Sequence, residues 1–509
     1  MSKIYFYNSL SKEKQLFRPV SNGSNEIKIY SCGPTVYNYA HIGNFRSYIV
    51  WDVLHRYLEY AGYKVKIVKN ITDVGHFTEE DEDQGEDKLE KMARKVKKSP
   101  LEVAKFYTEV FIKEEKKLNI LAPDYRPKAT EEIKSMQKII GQLLKKGYAY
   151  ETQDGVYFDT AKFSGYGRLS GNTAEGTEPG ARVKINPLKK NPTDFALWKK
   201  LVGRNKKHLL WWTSPWGKGF PGWHIECSAM AFRYLGETID IHTGGRDNIF
   251  PHHESEIAQS EAFSGRQFSR FWLHSGLVAV DGKKMSKSLE NFYTLRDIEK
   301  KGFDPLVFRL WALLASYRKE INFSWQKLEE TKLNWQKIVE FREQNWEELI
   351  KSGQIKAVSL QKDELARIEI LWALAKKNSF YFKLRQFIKE GDQKFCFAMD
   401  NDLNTAVAFS ILLKMLKLAN KKPILSVEKI GALILLEEWN KVLAFLPKIK
   451  REVKLTKPVQ IEKMLKMRQK AKETGNYQKA DQIRKKIENR GYKILDLEGG
   501  KWKLKITKK

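Results

Sequence analysis

Residues 26–71 read EIKIYSCGPTVYNYAHIGNFRSYIVWDVLHRYLEYAGYKVKIVKNI, and this stretch decides the fold. Side chains at residues 26–31 alternate between polar and apolar as in a strand, and residues 65–71 predict a second strand. A helical pattern lies between them and is closed by Gly62, a residue typical of helix C-termini. Strand, loop, helix and strand form a βαβ unit, which predicts a parallel sheet. Because ligands bind at the carboxyl ends of parallel strands, residues 32–40 form the expected site loop.

The composition is that of a globular protein outside the membrane. The chain has 509 residues, which suggests three to four domains at about 150 residues each. It is 42% hydrophobic with a mean hydropathy of −0.54, and its longest aliphatic run, near residues 430–436, is far below the roughly 20 residues that span a bilayer. The N-terminus lacks the pattern of a signal peptide, and three cysteines exclude a disulfide scaffold. We therefore expect a cytoplasmic protein with no membrane partner.

The charge balance favours a polyanionic partner. Lys and Arg number 92 against 62 Asp and Glu, a formal net charge of +30. Nucleic acid is the simplest such partner, and lysine enrichment from genome composition is the alternative. Residues 451–509 hold 19 basic and 7 acidic residues, a net +12, with Tyr477, Tyr492 and Trp502 interleaved. This combination is typical of surfaces that bind a nucleic-acid backbone and stack on bases.

Residues suited to metal binding or proton transfer are concentrated in the first half. All nine histidines precede residue 275, as do Cys32 and Cys227. Cys396, between two phenylalanines, is expected to be a small buried hydrophobic residue. The acidic run at residues 79–87 lacks the ligand spacing of a calcium loop and is interpreted as a solvated loop. Chemistry is therefore expected in the first half and contact in the helical, basic second half.

Two short motifs fit the binding of a nucleoside triphosphate. HIGN at residues 41–44 lies at the turn into the predicted helix, where Gly43 allows close backbone approach and the helix N-terminus favours phosphate. KMSKS at residues 284–288 supplies two lysines and two hydroxyls that can stabilise charge moving onto pyrophosphate. The alternatives are a chance match for the first motif and an exposed basic turn for the second.

With both motifs present, about 240 residues apart, the chain resembles the class I aminoacyl-tRNA synthetases, whose signatures read HIGH and KMSKS. Asn44 stands in place of the second histidine, and its amide can still donate a hydrogen bond to phosphate. The resemblance implies that His41 and Asn44 contact the phosphates and that Lys284 and Lys287 hold the leaving pyrophosphate. It also implies Mg²⁺ with ATP and a set of ATP-binding residues: Gly43, Gly244, Asp247 and Lys287.

The predicted architecture is α/β. A Rossmann-like, parallel-sheet catalytic domain is expected at residues 1–322, with an insertion at about 120–220 and a connective region at about 290–322. An all-α helical bundle that binds tRNA is expected at residues 323–450. A small basic C-terminal domain is expected at residues 458–509, where a helical hairpin leads into strand-like sequence.

Three separated stretches carry zinc-ligand residue types. They are Cys32, the run GWHIECSAM at residues 222–230 and the run FPHHESE at residues 250–256. On a helix that begins near residue 252, His252 and Glu256 share a face, and His253 with Glu256 at three apart remains open. Cys32 ends the first predicted strand close to the HIGN motif, so a metal here would lie inside the ATP site. The alternative for each residue is ordinary packing.

These runs closely resemble the cysteinyl-tRNA synthetase family. The resemblance covers essentially the whole chain and implies one Zn²⁺ held by Cys32, Cys227, His252 and Glu256. It further implies that Thr72, Trp223 and His242 line a pocket for L-cysteine, that tRNA(Cys) is the acceptor, and that the chain is a monomer. Among tail residues, Trp502 is the one expected to stack on an anticodon base, with a small-domain core position as its alternative.

The chemistry gives a reason for the metal. Cysteine and serine differ by one atom, and shape alone separates such pairs only about 100-fold. A thiolate is a soft ligand that zinc favours, whereas a serine hydroxyl binds zinc poorly. An open zinc position therefore selects the thiol without an editing domain, for which the predicted insertion has no obvious room.

Two rival functions share parts of this pattern. The cysteine ligase of mycothiol synthesis activates cysteine in the same way but transfers it to an amino sugar, and it resembles a truncated synthetase. The long helical region and basic tail of this chain argue against that reading. A non-catalytic RNA-binding paralogue would be expected to lose an ATP motif or a zinc ligand, and neither loss is seen in the sequence.

Overall fold

A computed structural model describes residues 3–21, 23–74, 87–172, 186–285, 291–356, 364–449, 459–489, 492–496 and 502–506. Its strands are β1 (Tyr5–Asn8), β2 (Glu13–Leu16), β3 (Glu26–Ser31), β4 (Lys64–Lys69), β5 (Ala149–Glu151), β6 (Gly155–Phe158), β7 (Phe195–Lys200), β8 (Gly219–Pro221), β9 (Ile239–Gly245), β10 (Ser269–Ser275), β11 (Val278–Val280), β12 (Lys283–Lys284), β13 (Ile321–Phe323), β14 (Tyr492–Asp496) and β15 (Trp502–Ile506). Its helices are α1 (Ile42–Tyr60), α2 (Lys88–Val96), α3 (Pro100–Lys117), α4 (Ile133–Lys145), α5 (Trp223–Leu235), α6 (Glu254–Ser264), α7 (Leu295–Lys300), α8 (Pro305–Leu313), α9 (Trp325–Lys351), α10 (Glu364–Lys376), α11 (Tyr381–Asp400), α12 (Thr405–Ala419), α13 (Val427–Leu443), α14 (Val459–Glu473) and α15 (Tyr477–Glu488).

The chain divides into two compact units. The first comprises Met1–Arg342 with Leu371–Pro447, and the second comprises Glu343–Ile370 with Lys448–Lys509. The three-part division expected from the sequence stays a prediction. No helix within the described ranges has the length and apolar character needed to cross a bilayer.

A four-stranded parallel sheet is the centre of the first unit. Its order is β10-β9-β3-β4, and Tyr30 in β3 pairs with His242 on one side and Val68 on the other. Apolar residues alternate along β3, for example Ile27 and Ile29, which are buried. The α/β class and the parallel sheet predicted from the βαβ pattern are confirmed. Crossover connections bring β3, β4, β9 and β10 to one common carboxyl edge.

An antiparallel sheet of order β5-β6-β7-β8 lies between α4 and α5 in the chain. Its apolar side packs into one large cluster that also includes residues of α4, α5 and α6, among them Ile139, Ile225 and Ile257. Trp198 of β7 is fully buried in this cluster. The sheet therefore packs in the same core as α5 and α6, the helices that carry Cys227 and Glu256.

A small sheet of order β12-β11-β13 follows the central sheet directly. β11 is antiparallel to β12 and parallel to β13, with Val280 opposite both Lys283 and Phe323. The KMSKS motif begins at Lys284, the last residue of β12. This sheet therefore fixes the position of Lys284, where the KMSKS motif begins.

Helices α11, α12 and α13 pack within the same compact unit as the central sheet. The Tyr57 hydroxyl of α1 donates a hydrogen bond to the Asp400 carboxylate at 2.6 Å, and Phe395 stacks on Trp439 with centroids 4.8 Å apart. These contacts tie the helices to α1, the helix that follows the HIGN motif.

The second unit contains a helical hairpin and a two-stranded sheet. α14 and α15 meet at Gly475, whose φ of 71° lies in the left-handed region that favours glycine. Leu465, Ile483, Ile487 and Ile494 form its apolar core. Trp502 begins β15, paired with Asp496. Its stacking role stays a prediction.

Candidate active site

The carboxyl end of β3 carries the first residue of the site. Cys32 follows this strand directly, and Gly33 approaches Asn70 so closely that a Cβ at Gly33 would lie 1.7 Å from the Asn70 carbonyl oxygen. The same loop ends at His41, which caps α1. One ten-residue loop therefore connects the candidate metal centre to the first ATP motif.

Four donor atoms converge at this edge of the sheet, and we call Cys32, Cys227, His252 and Glu256 the thiol cluster. The two sulfurs lie 4.0 Å apart, and Cys32 Sγ is 3.9 Å from Glu256 Oε1. His252 Nε2 lies 3.4 Å from Cys227 Sγ and 3.1 Å from Glu256 Oε1. The structure thus brings together the four residues that the resemblance implied.

Secondary structure explains this convergence. Cys227 lies on α5, and a kinked segment at Ile249–His253, with Phe250 in an extended conformation, leads into α6, which carries Glu256. His252 and Glu256 are four residues apart and meet on one face, as helical geometry requires.

The distances within the thiol cluster fit a bound zinc ion. Four donors held at about 2.0–2.3 Å around a tetrahedral ion lie about 3.3–3.8 Å from one another. The four contacts given above span 3.1–4.0 Å, and all four donor atoms lie within 4.8 Å of one another. Two thiols, one imidazole and one carboxylate are also donor types that zinc accepts. The residues present therefore fit the group.

A bound cation would change the ionisation of both thiols in the cluster. Burial raises the pKa of the Cys32 thiol well above its ordinary value, and it raises the pKa of the Cys227 thiol as well. Neighbouring Glu256 adds to both shifts because its negative charge disfavours a thiolate. A divalent ion reverses this balance because it stabilises the deprotonated sulfurs and the carboxylate together.

A second set of donors overlaps with the first. His253 Nε2 lies 3.3 Å from Cys32 Sγ, and His242 Nε2 lies 2.9 Å from Glu256 Oε2. Cys32, His242, His253 and Glu256 also have donor atoms within 4.8 Å of one another. This set offers one thiol instead of two, so the thiol cluster is the better match to a thiophilic metal. His253, which residue spacing had left as an alternative ligand, therefore belongs to this second set.

The first ATP motif forms a helix cap. His41 Nδ1 accepts a hydrogen bond from the Asn44 N–H at 3.2 Å, and Asn44 Oδ1 accepts one from the His41 N–H at 3.1 Å. This reciprocal pair is a capping box, which fixes the start of α1. The side-chain nitrogen of Asn44, Nδ2, takes no part in this cap. Gly43 is packed closely, since a Cβ there would lie 2.9 Å from the His41 ring and 3.1 Å from Met285 Cε.

The remaining predicted ATP residues lie around this cap or outside the described ranges. Lys284 ends β12, and Lys287 lies outside the described residues. Gly244 is buried at the end of β9, where a Cβ would lie 2.5 Å from His253 Cε1, so packing alone requires a glycine. Asp247 is exposed in the turn that follows. These roles stay predictions.

Comparison with known proteins agrees with the geometry. The family model described as tRNA synthetases class I (C) catalytic domain matches residues 17–333, and the DALR domain matches residues 394–447. The Cysteine--tRNA ligase of Chlorobaculum tepidum is 39% identical across 99% of this chain and 100% of that protein. The one of Clostridioides difficile is 40% identical across 98% and 99%.

The chain belongs to the cysteine–tRNA ligase family. Membership confirms the resemblance drawn from the HIGN and KMSKS motifs and from the cysteine- and histidine-containing runs. It also confirms that the chain is an aminoacyl-tRNA ligase rather than a binding protein without catalysis.

Solved structures of other synthetases share the fold. Methionyl-tRNA synthetase of Mycobacterium tuberculosis, bound by methionyl-adenylate, superimposes with a TM-score of 0.53 over 82% of this chain and 92% of that chain. Sequence identity is 12%, so this likeness concerns the fold alone. The predicted class I architecture is confirmed at that level.

In this cysteine–tRNA ligase family member, the predicted cysteine pocket borders the thiol cluster. The Trp223 ring stacks on His252 with centroids 4.2 Å apart. The Thr72 hydroxyl donates to Glu226 Oε2 at 3.0 Å and is buried. His242 is also buried, and its Nε2 contacts Glu256, a residue of the thiol cluster.

Two further histidines support the cluster, and motif reasoning missed both roles. His224 Nδ1 lies 2.9 Å from His252 Nδ1, and His274 Nε2 lies 2.8 Å from His253 Nδ1. Partners of this kind orient ligand imidazoles and are part of most metal sites. Burial lowers the pKa of His274 to about 3 and that of His253 well below its usual range, so both rings are neutral. The signal in the sequence was the concentration of histidines between residues 224 and 274.

Proposed function

We propose that this chain charges tRNA(Cys) with L-cysteine in two steps and that one Zn²⁺ selects the thiol. The observation that carries the proposal is the position of the thiol cluster at the start of the loop that ends in the HIGN motif. A thiol bound there would have its carboxylate close to the helix terminus that binds phosphate. The low cysteine count further favours a reducing compartment such as the cytoplasm.

The thiol cluster would hold the zinc. When bound, Zn²⁺ would be a soft Lewis acid that takes the thiolate of cysteine as a further ligand in preference to the hydroxyl of serine. Trp223 and Thr72 would form walls of the cysteine pocket next to the zinc. Trp223 stacks on His252, which fixes the orientation of that imidazole. His224 and Glu226 lie behind these side chains and keep them in position.

In the first step, the carboxylate oxygen of cysteine attacks the α-phosphorus of ATP. The bond between carboxylate oxygen and α-phosphorus forms, the bond from α-phosphorus to the bridging oxygen breaks, and pyrophosphate leaves. Positioning and charge stabilisation dominate such a step. His41 and the N–H groups that begin α1 would bind the phosphates, and Lys284 and Lys287 would stabilise the charge on pyrophosphate. Mg²⁺ would arrive bound to ATP, with Gly43, Gly244 and Asp247 around the nucleotide.

In the second step, a hydroxyl of the terminal ribose of tRNA attacks the carbonyl carbon of the adenylate, and AMP leaves. Basic surface is the feature that favours a tRNA acceptor. The tail from residue 451 carries a net +12, and Lys485 and Lys486 are exposed on α15. Trp502 would contribute base stacking.

The first experiment follows labelled cysteine. We expect cysteine-dependent ATP–pyrophosphate exchange, transfer of cysteine to total tRNA, and loss of both after the metal is removed with a chelator. Serine should support exchange at least about 100-fold less well, the limit that shape alone can reach. Full charging by metal-free protein would overturn the zinc assignment. Exchange without transfer to tRNA would instead favour an amino-sugar acceptor.

A second experiment tests the tRNA surface. We expect Lys485→Glu to raise the KM for tRNA several-fold and to make binding less dependent on salt by about one unit of slope, as loss of one phosphate contact does. Exchange should be unchanged. Lys64→Glu, at the opposite edge of the sheet from the thiol cluster, makes the same charge change and serves as the control. Equal effects of both variants would mean that only net charge matters.

A further inference from the structure

A fully buried arginine lies in α1, two residues after the HIGN motif. Arg46 is 0% exposed, although it is on the helix whose first turn is the predicted phosphate site. Burial lowers the pKa of its guanidinium to about 10, so it stays charged near pH 7. A buried charge is costly unless hydrogen bonds satisfy it, so its partners indicate what it is there to hold.

All the hydrogen-bond acceptors found for Arg46 are main-chain carbonyl oxygens. Nη1 donates to the carbonyls of two consecutive residues, and Nη2 donates to three carbonyls of a separate segment. The acceptors are Gly276, Leu277, Ser316, Tyr317 and Lys319. The guanidinium thus joins two stretches of backbone that are about 40 residues apart in sequence. Because all five acceptors are main-chain atoms, Arg46 holds the backbone of both stretches in place rather than any one side chain.

These two stretches are the entries to β11 and β13. Gly276 and Leu277 connect β10 to β11, and residues 316–319 precede β13. Gly276 N–H donates to the Tyr317 carbonyl at 2.7 Å, and a Cβ on Gly276 would lie 2.3 Å from the Lys319 carbonyl oxygen. The junction is therefore tight, and the sheet that carries the KMSKS motif starts from it.

Contacts around Arg46 connect the two ATP motifs directly. Ser47, the next residue of α1, shares a hydrogen bond with Ser275 at the end of β10. Met285, the second residue of KMSKS, lies against Gly43 of HIGN, since its Cε would be 3.1 Å from a Cβ there. A shift of the β11–β12 hairpin relative to α1 would change this contact.

We propose that Arg46 is a positioning residue that sets the distance between the HIGN motif and Lys284 and Met285, where the KMSKS motif begins, and thereby the geometry of the ATP site. The inference rests on the proposed function, because it assigns both motifs to ATP. A guanidinium is suited to this role since its planar fork donates to several carbonyls at once. A lysine ammonium keeps the charge but is a compact group on a flexible stem, so it cannot bridge both segments in the same way.

The test compares two fully buried arginines. In Arg46→Lys we expect kcat/KM for ATP in pyrophosphate exchange to fall on the order of 100-fold, since a misplacement of about 1 Å has that effect. The KM for cysteine and the bound zinc should change less than about twofold. Arg309→Lys is the matched control, because Arg309 is equally buried but bonds to Asp52 and to the Leu118 and Leu443 carbonyls. It should lose thermal stability without the selective loss for ATP.

Rescue provides a second readout. In Arg46→Ala, guanidinium at concentrations of about 10 mM should restore part of kcat, whereas methylammonium should not. If Arg46→Ala does not fold, the comparison of the two lysine variants decides. Equal losses for ATP and cysteine in Arg46→Lys, or a matching ATP loss in Arg309→Lys, would overturn the positioning role. Absence of exchange in the unmutated protein would instead be a failure of the proposed function.

Discussion

Two buried clusters in the first compact unit both bring metal-ligand residue types close together, but they differ in how their polar atoms are hydrogen-bonded. One is the thiol cluster, and the other is formed by Asp87, Glu90 and His208, which we call the His208 node. Each places metal-ligand atoms within 4.8 Å of one another. Only the hydrogen bonds around them distinguish a site that needs a cation from one that does not.

The His208 node satisfies its own polar atoms. His208 Nδ1 donates to the Leu210 carbonyl at 2.9 Å, and its Nε2 lies 2.8 Å from Asp87 Oδ2. Asp87 Oδ1 accepts two N–H groups at the start of α2, and Glu90 Oε1 accepts the Leu209 N–H at 2.6 Å. The imidazole also stacks on Phe220 with centroids 3.9 Å apart. Both ring nitrogens of His208 and these carboxylate oxygens therefore already have hydrogen-bond partners within the protein.

The thiol cluster has the opposite arrangement. Its sulfur, nitrogen and oxygen atoms point at one another, and burial makes the thiols hard to ionise without a nearby positive charge. The comparison teaches that closeness of ligand residue types is weak evidence for a metal. What matters is whether the donor atoms are already hydrogen-bonded to groups that donate to them.

Replacing a thiol should have the largest effect. Cys227→Ser should reduce cysteine-dependent exchange by more than about 100-fold, because changing even a residue behind a ligand costs about 10- to 100-fold. Zinc per chain, measured by mass spectrometry of metals, should fall with it. Cys396→Ser is the matched control, since Cys396 lies on α11 outside the cluster and its Sγ contacts Asp392. Normal zinc content and exchange in Cys227→Ser would make the thiol cluster another self-satisfied group like the His208 node.

The two adjacent histidines should differ in size of effect. His252→Gln removes a proposed ligand and should weaken zinc binding more than about 100-fold, measured by competition with a coloured chelator. His253→Gln should weaken it about 10- to 100-fold, since His253 contacts Cys32 from the second donor set. The reverse order would assign the metal to Cys32, His242, His253 and Glu256.

Sequence reasoning found the central fold because its signals were local. The strand predicted at residues 26–31 matches β3, and the helix predicted after it and closed by Gly62 is α1. Strands β12 and β13 were not foreseen, because they have two or three residues and β13 pairs with β11 across about 40 residues of chain. Such short strands carry no detectable alternation, so only the folded chain reveals them.

The site was predictable in its ligand types and not in its surroundings. Spacing placed His252 with Glu256 and could not exclude His253, and the structure places one of these rings in each of the two overlapping donor sets. The contact of His242 with Glu256 was not foreseen, and its place in the cysteine pocket stays a prediction. Asp87 was interpreted as part of a solvated acidic loop, yet it is buried as the cap of α2. The rest of that run, residues 79–86, lies outside the described residues.

A change in the His208 node should affect stability and leave the metal unaltered. His208→Gln should keep the same zinc content and exchange rate, while the free energy of unfolding falls by about 1–3 kcal/mol, since buried carboxylates lose a partner. Thermal unfolding followed by circular dichroism, with metal analysis of the same sample, measures both. A fall in zinc content would show that this node also binds metal and would remove the distinction between the two clusters.

The smallest expected effect is on stability and concerns two neighbouring buried glutamates of α3, one paired with cations and the other with an oxygen unpartnered among the described residues. Glu115 on α3 bonds to Lys69 Nζ at 2.7 Å and to Arg126 Nη2 at 2.6 Å. Glu114 is also buried, and its Oε2 has no hydrogen-bond partner in the part of the chain that the structure describes. Burial raises the pKa of Glu114 to about 7, only partly opposed by Arg296 and Lys117.

The sign of the pH dependence follows from that raised pKa. The folded state holds the Glu114 proton more tightly than the unfolded state, whose pKa is near 4.5, so this group lowers stability as pH rises from about 4.5 to 7. Glu114→Gln should therefore raise the free energy of unfolding at pH 8, on the order of 1 kcal/mol, and leave it unchanged at pH 4. Glu115→Gln should lower it at pH 8, because two cations lose their partner. Urea unfolding at both pH values measures each difference, and a loss of stability at pH 8 in Glu114→Gln would mean that its carboxylate is ionised and paired.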